Sequence, residues 1–292
     1  MARLFTEGFE LGTIYNFSVG TTYGSGIATD QKRSGTYSLY ANQVTAFFHI
    51  DGSGEIYLRF GIYLTAWGNT YIMQWKNGAT VLGGLYYNNT SKCLEMKVGT
   101  TTVKSSTTFF AQSTWNLVEL HIKIDDSSGA LECKVNGIID SELSYSGDTK
   151  PSTQTTITDI SITTTSANPF YDDFALNDTS GAVDNSWCGD GHVILLKPNA
   201  NGDSSDFTGS DGNSTDNYLL VDDIPYDSDT TYVQANVSGY YDLYNLAACG
   251  LSDVEISRVW VEGRAKDTTT GSGIITPLIK TNSTEIESSP VE

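Results

Sequence analysis

The sequence predicts an all-β protein, a larger β-sandwich followed by a second, smaller one. Three observations carry the class: long period-2 runs, no convincing 3.6-residue period beyond about two turns, and Ser, Thr, Asn and Gly interrupting nearly every run. The clearest run is "WNLVELHIKIDDSSGALECKVNG" at 115–137. Val118, Leu120, Ile122 and Ile124 share one parity, while Glu119, His121 and Lys123 share the other, as in a strand with one dry face. The return run sets Leu131, Cys133 and Val135 against Glu132 and Lys134. "DDSSG" supplies the turn between them, and Asn136-Gly137 starts the next reversal. A ribbon greasy on one side has to lie on a second sheet. Upstream, "EIYLRFGIYL" puts Ile56, Leu58, Phe60, Ile62 and Leu64 on one face and Tyr57, Arg59 and Tyr63 on the other. With 292 residues, 39% of them hydrophobic, the chain is long enough for one large or two medium β domains.

Composition changes near residue 178. Most long alternating runs precede it; the turn-rich "NDTSGAVDNSWCGDG" and a fresh run "HVILLKP" follow. The expected division is a sandwich over 1–178, a connector over 179–190 and a second β domain over 191–292, with strands around Val193, Tyr218, Tyr232, Tyr241 and Val254. The piece "RVWVEGRAKDTTTGSGIITPLIK" reads as a final hairpin turning at "DTTTGSG". A sandwich stopping there leaves an edge at 274–280, so either the native chain is longer or another subunit covers it. Ile274, Ile275 and Leu278 are the candidate interface residues in a homo-oligomer, with a trimer favoured.

Four pieces of the first part carry a resemblance: "FEL" near the start, "SGTYSLY" at 34–40, the Trp115 ribbon ending in "VNG", and the closing "FYDDFALND". Together they resemble the concanavalin A-like or laminin G-like jelly roll. That likeness implies that the first and last strands pair, and that the "W...VE" strand and its "CKVNG" partner lie in the central sheet. It covers about 60% of the chain and speaks for architecture, because the fold hosts lectins, hydrolases and inert modules alike. The junction "DDFALNDTSGAVDNSWCGDGHVILLKPNANGD", with "NYLLVDDIPYDSDTTYV" and "YYDLYNL", is similar to a group of tailed-bacteriophage and prophage virion proteins. The second resemblance implies a particle component, made in a host cytoplasm and residing in the virion, with other virion proteins as partners.

A formal net charge of −19 argues against nucleic acid as a partner. "MARLFTEGFELG" lacks an apolar h-region, and no apolar run approaches the ~20 residues of a membrane span. Cys93, Cys133, Cys188 and Cys249 are widely spaced and read as reduced thiols. The carboxylate pair that jelly-roll glycosidases carry on one strand is absent, as are GxSxG, HExxH and a phosphate loop with Lys. His49, His121 and His192 are scattered, and His121 shares the parity of Glu119 and Lys123, a solvated face. No enzyme is expected, and no cofactor apart from a Ca²⁺ ion that an acidic tract would suit. Between Lys197 and Arg258 there is no Lys or Arg, and "NANGDSSD" offers Asn199, Asn201, Asp203 and Asp206 as alternating oxygen ligands, or as ordinary turn residues.

In "FYDDFAL", Phe170, Asp172, Phe174 and Leu176 share one parity, so a carboxylate sits among aromatics and needs partners. The jelly-roll resemblance implies pairing of Asp172 and Asp173 with loop backbone near the chain start; the alternative is a rim cation site. Tyr71, Met73 and Trp75 share a strand face, and Tyr86 and Tyr87 follow after Gly83-Gly84. Sugars stack on such rings, which makes Trp75, Tyr86 and Tyr87 the candidate platforms; core or subunit contact is the competing use. The leading expectation is a non-enzymatic structural protein displayed on a tailed-phage capsid or tail. The alternative is a carbohydrate-binding adhesin, a tail fibre or lectin-like receptor-binding protein that meets host-surface glycans.

Overall fold

Alternation in the first 178 residues is realised as two antiparallel sheets. In this computed structural model, which describes residues 2–14, 17–19, 26–42, 45–266 and 273–289, the strands are β1 (Arg3–Glu7), β2 (Ser18–Val19), β3 (Gly26–Ala28), β4 (Ser38–Tyr40), β5 (Thr45–Ser53), β6 (Glu55–Tyr63), β7 (Thr70–Asn77), β8 (Thr80–Asn88), β9 (Cys93–Val98), β10 (Thr101–Phe109), β11 (Trp115–Lys123), β12 (Gly129–Val135), β13 (Ile138–Ile139), β14 (Tyr145–Gly147), β15 (Ile157–Thr163) and β16 (Phe170–Asp178). One sheet of nine strands runs β13-β12-β11-β6-β16-β4-β3, with β1 also on β16 and β14 also on β12. The other, of seven, runs β10-β9-β8-β7-β15-β5-β2. As the resemblance implied, first and last strands pair: Arg3 faces Asn177 and Glu7 faces Phe174.

The dry parities meet between the sheets. Val118 lies between Val135 and Phe60, Leu120 between Cys133 and Leu58, and Ile122 between Leu131 and Ile56. These residues join Ile72, Trp75, Leu85 and Ile160 of the other sheet in one core. Each fully buried Leu, Ile or Phe contributes about 1.5–3 kcal/mol relative to exposure. That strand-to-strand register, rather than any single residue, is what a one-residue slip would destroy.

Two bulges break the parity that the sequence suggests. In β16 the register with β6 shifts between Asp172 and Ala175, and Asp173 takes φ 53°. Phe170 therefore faces outward opposite Tyr63, while Phe174 and Leu176 are buried in the core. In β7 the register with β8 shifts between Tyr71 and Met73, so Tyr71 stays half-buried while Met73 and Trp75 are fully buried. An extra residue on one strand turns the following side chains over, and a simple alternation count cannot see it.

Beyond 178 the strands pair two at a time. β17 (Pro198–Ser205) pairs with β20 (Asp242–Leu246), and β18 (Thr208–Gly209) with β19 (Val233–Gln234). β21 (Leu278–Thr281) pairs with β22 (Thr284–Glu287). The expected second sandwich is thus, among the described residues, three two-stranded ribbons. Tyr218 lies in a 3-10 turn, Asn217–Leu220, and Val254 lies outside any ladder. "HVILLKP" does not open a strand until Pro198, because Val193 is buried against Gly8 of the sandwich. Compact units run Met1–Gly250 and Leu251–Glu292. The turn expected at "DTTTGSG" lies almost wholly outside the described residues. The hairpin that is described turns after Thr281, so the strand at 278–281 has a partner in residues beyond Lys280. No helix among the described residues is long and apolar enough to cross a membrane.

Candidate functional site

The outward face of the nine-stranded sheet is divided between a covered half and an open half. On the covered half, outward parity brings together Arg59 and Glu119, cross-strand neighbours only 4% and 3% exposed. Buried charges need partners. Segment 186–193 supplies them as a strap: Gly189 N donates to Glu119 Oε1 at 2.8 Å, and Arg59 donates to the carbonyls of Asp173 at 3.1 Å and Gly189 at 3.3 Å. Asn177 Nδ2 donates to Ser186 O at 2.7 Å. Trp187 packs edge-on to Tyr57, and Lys134 sits 3.9 Å over its ring. His121, expected to face solvent, instead lies between Glu55 and Glu132, with each ring nitrogen 2.8 Å from a carboxylate, and stacks on Tyr57. Cys188 lies in this layer, and burial pushes its thiol up to about 11, so it is not an activated nucleophile.

Loop 31–37 is fixed beside the strap by three carboxylates. Glu10 accepts from the N–H groups of Thr36 and Tyr37, and its carboxyl occupies the space where a side chain at Gly35, φ +58°, would begin. Asp172 accepts from the N–H groups of Arg33 at 2.9 Å, Ser34 at 3.2 Å and Asp173 at 2.8 Å. Asp173 accepts from Arg33 Nη1, Ser34 Oγ and Val193 N. The two aspartates thus pair with loop residues near the chain start. Burial, then the neighbouring Asp173 charge, push the Asp172 carboxyl up to about 8, against the three N–H groups that favour its ionised form.

The open half carries aromatic rings in one cross-strand row. Tyr40 faces Phe170, Phe170 faces Tyr63, and Tyr63 faces Trp115, each on the outward parity of its strand and half-buried. Ring centroids lie 4.8, 6.0 and 6.0 Å apart along the row. Four strands ~4.8 Å apart give the stripe a span of about 14 Å. Gly61 allows Arg33 to cross beside it, since a Cβ there would lie 2.6 Å from Arg33 Cδ and 3.5 Å from Trp115 Cε3. At the Tyr40 end, a pocket of about 570 Å³ is lined by Tyr40 and Phe170 together with Thr29, Asp30, Thr65 and Asn168. Thr65 Oγ1 donates to Asn168 O at 2.6 Å, and the buried Asn168 Oδ1 has no hydrogen-bond partner.

The platform residues expected from sequence separate. Trp75 and Tyr87 are fully buried in the core and have no ring face to offer. Tyr86 is on the outward face of the seven-stranded sheet, edge-on to Tyr71 at 5.0 Å and beneath Lys97 at 4.3 Å. Lys97 is in turn bound to Glu95 and Thr102, so this patch is largely self-satisfied. Asn199, Asn201 and Asp203 lie on strand β17, not on a loop. Of the three, one is paired with β20, Asn201 opposite Tyr244, and the register shifts on either side of it. Among the described residues no three His, Cys, Asp or Glu side chains cluster to hold a metal ion. Ile274 and Ile275 are 60% and 50% exposed, and Leu278 is half-buried in β21. Tyr40, Tyr63, Trp115 and Phe170 escaped the sequence reading because only sheet order assembles them; their common signal is an aromatic at a non-core parity.

No family model matches the chain, and no curated protein matches it. Among solved structures it is similar to the alginate lyase Aly36B, at 12% identity and TM-score 0.41 over 55% of this chain and 86% of that one. It is also similar to the carbohydrate-binding module CBM66 from Bacillus subtilis, at 6% identity and TM-score 0.38 over 56% and 96%. A third is the carbohydrate esterase vb_24B_21 from the Shiga toxin-encoding bacteriophage phi24B, at 12% identity and TM-score 0.41 over 56% and 91%.

Proposed function

We propose that this chain is a non-enzymatic, carbohydrate-binding component of a tailed-phage particle. The observation that carries the binding half is the half-exposed stripe Tyr40, Phe170, Tyr63 and Trp115 beside a polar-lined pocket. Flat apolar rings flanked by hydroxyl, amide and carboxylate groups match the apolar faces and hydroxyl edges of pyranoses. Trp115→Ala should lower affinity on a glycan array and in titration with the best binder by roughly tenfold, from a stacking contribution near 1.4 kcal/mol. Unchanged binding would remove the stripe from the site. Incubation of the bound oligosaccharide with the protein should release no cleavage product; a product would make the chain an enzyme.

The particle half rests on the junction resemblance and on a second surface of different chemistry. In the unit Leu251–Glu292 no described residue is buried, and Ile256, Val259, Val261, Ile274 and Ile286 are exposed aliphatics. Aliphatic exposure of this kind suits protein contact. In the proposed assembly, a trimer, this unit packs against its own copies or other virion proteins. Ile275→Lys with Leu278→Lys should reduce the mass seen by light scattering, or block particle decoration, with the sandwich still folded. A monomer before and after that still decorates particles would sink the assembly half.

A further inference from the structure

The pocket beside Tyr40 and the stripe together define a ligand more narrowly than a sugar. We propose that the site takes an uncharged oligosaccharide of about three pyranose rings, one seated in the pocket and the others along the stripe; this rests on the carbohydrate reading above. The pocket volume of about 570 Å³ is ample for one ring. Its polar groups are the exposed Asp30 carboxylate, the Thr29 hydroxyl and the Thr65 oxygen, whose proton is already given to Asn168 O. Sugar hydroxyls donate to such acceptors. Among the described residues no Lys or Arg lines the pocket, and Lys32, bonded to a lining residue, spends its ammonium on the Thr29 carbonyl at 3.0 Å. A carboxylate-bearing sugar would meet Asp30 with nothing in the pocket to neutralise it, on a chain whose net charge is already −19.

The stripe sets length. Its rings are packed against one another, Tyr40 tilted 36° to Phe170, and edge to face at 83° between Phe170 and Tyr63 and 62° between Tyr63 and Trp115, so little ordering entropy is lost on binding. Trp115 is the far end, reached only by a ligand extending across all four strands.

Titrate the full chain with a neutral hexose series from monosaccharide to pentasaccharide, and with the matching uronic-acid oligomers. Affinity should rise to about the trisaccharide and then level off, and the acidic series should bind about fivefold or more weakly. Asp30→Asn should narrow the gap between the two series, Trp115→Ala should flatten the length dependence, and Lys32→Ala should leave the preference unchanged. Equal or tighter binding of the acidic oligomers, or binding independent of length, overturns this inference while leaving a glycan site in place. If neither series binds, nor any glycan on a broad array, the carbohydrate reading itself fails. A change in oligomeric mass in Trp115→Ala would then assign the stripe to a subunit contact.

Discussion

Asp172 shows how much one side chain is asked to do. It anchors the backbone of Arg33 and Ser34, lies next to Asp173, and sits at a bulge that reverses the parity of β16. Its carboxyl holds a proton more tightly in the fold, at about 8, than the ordinary aspartate value of 3.8. A group raised in this way contributes stability in full below the unfolded value and loses it as pH rises through the folded one. The melting temperature of the native protein should therefore fall between pH 5 and pH 9 relative to Asp172→Asn, which has no proton to lose. Parallel thermal scans at the two pH values check this; a constant difference refutes it. Tyr87 illustrates the opposite case. Its hydroxyl is buried without a hydrogen-bond partner, so Tyr87→Phe should cost less than ~1 kcal/mol in denaturant unfolding and leave glycan affinity untouched.

At the level of elements, the strap decides which half of the nine-stranded sheet is open. It closes over Arg59 and Glu119 and ends with Val193 against Gly8, where an added Cβ would lie 2.5 Å from Val193 Cβ. Gly8→Ala should push the segment away and destabilise the protein by about 1–3 kcal/mol. Gly26→Ala, in the row of the stripe and with nothing within 4 Å of the new Cβ, should change stability little. Denaturant titration of both variants separates a strap defect from a general glycine effect. β17 supports a further expectation. Because no three His, Cys, Asp or Glu side chains cluster there among the described residues, and of Asn199, Asn201 and Asp203 one, Asn201, pairs in register with β20, calcium and chelator should leave the melting curve unchanged. A calcium-dependent rise would restore the metal site expected from sequence.

For the whole molecule, the sheets account for residues up to Asp178, yet the sandwich is not chemically complete there. The partners of Glu119, Arg59 and Asp173 in 186–193 come from the stretch that composition marks as a connector and the residues just beyond it. Division near 179–190 is retained as a proposal, with a sharper boundary: a fragment ending at Asp178 should melt well below one ending at Lys197. Cutting at Asp178 leaves two buried charges without their capping groups, a loss on the order of a few kcal/mol. Equal melting temperatures would show the strap to be dispensable.

Alternation in "EIYLRFGIYL" and "WNLVELHIKI" by itself determined the all-β class and the core faces of β6 and β11, since a period of two leaves one choice of buried side. Sequence also sufficed for the pairing of the chain-start loop with Asp172 and Asp173, through the resemblance carried by "SGTYSLY" and "FYDDFALND". It did not suffice at Trp75, because the bulge in β7 breaks the parity shared with Tyr71, nor at His121, whose carboxylate partners come from the adjacent strands β6 and β12. Nor could it assemble Tyr40, Tyr63, Trp115 and Phe170. Successive rings lie 23, 52 and 55 residues apart in the sequence, and only the order β4-β16-β6-β11 sets them side by side. Local chemistry settles which face of a strand is dry; which strands become neighbours, and so which outward residues form one surface, is settled by long-range hydrogen bonding between them.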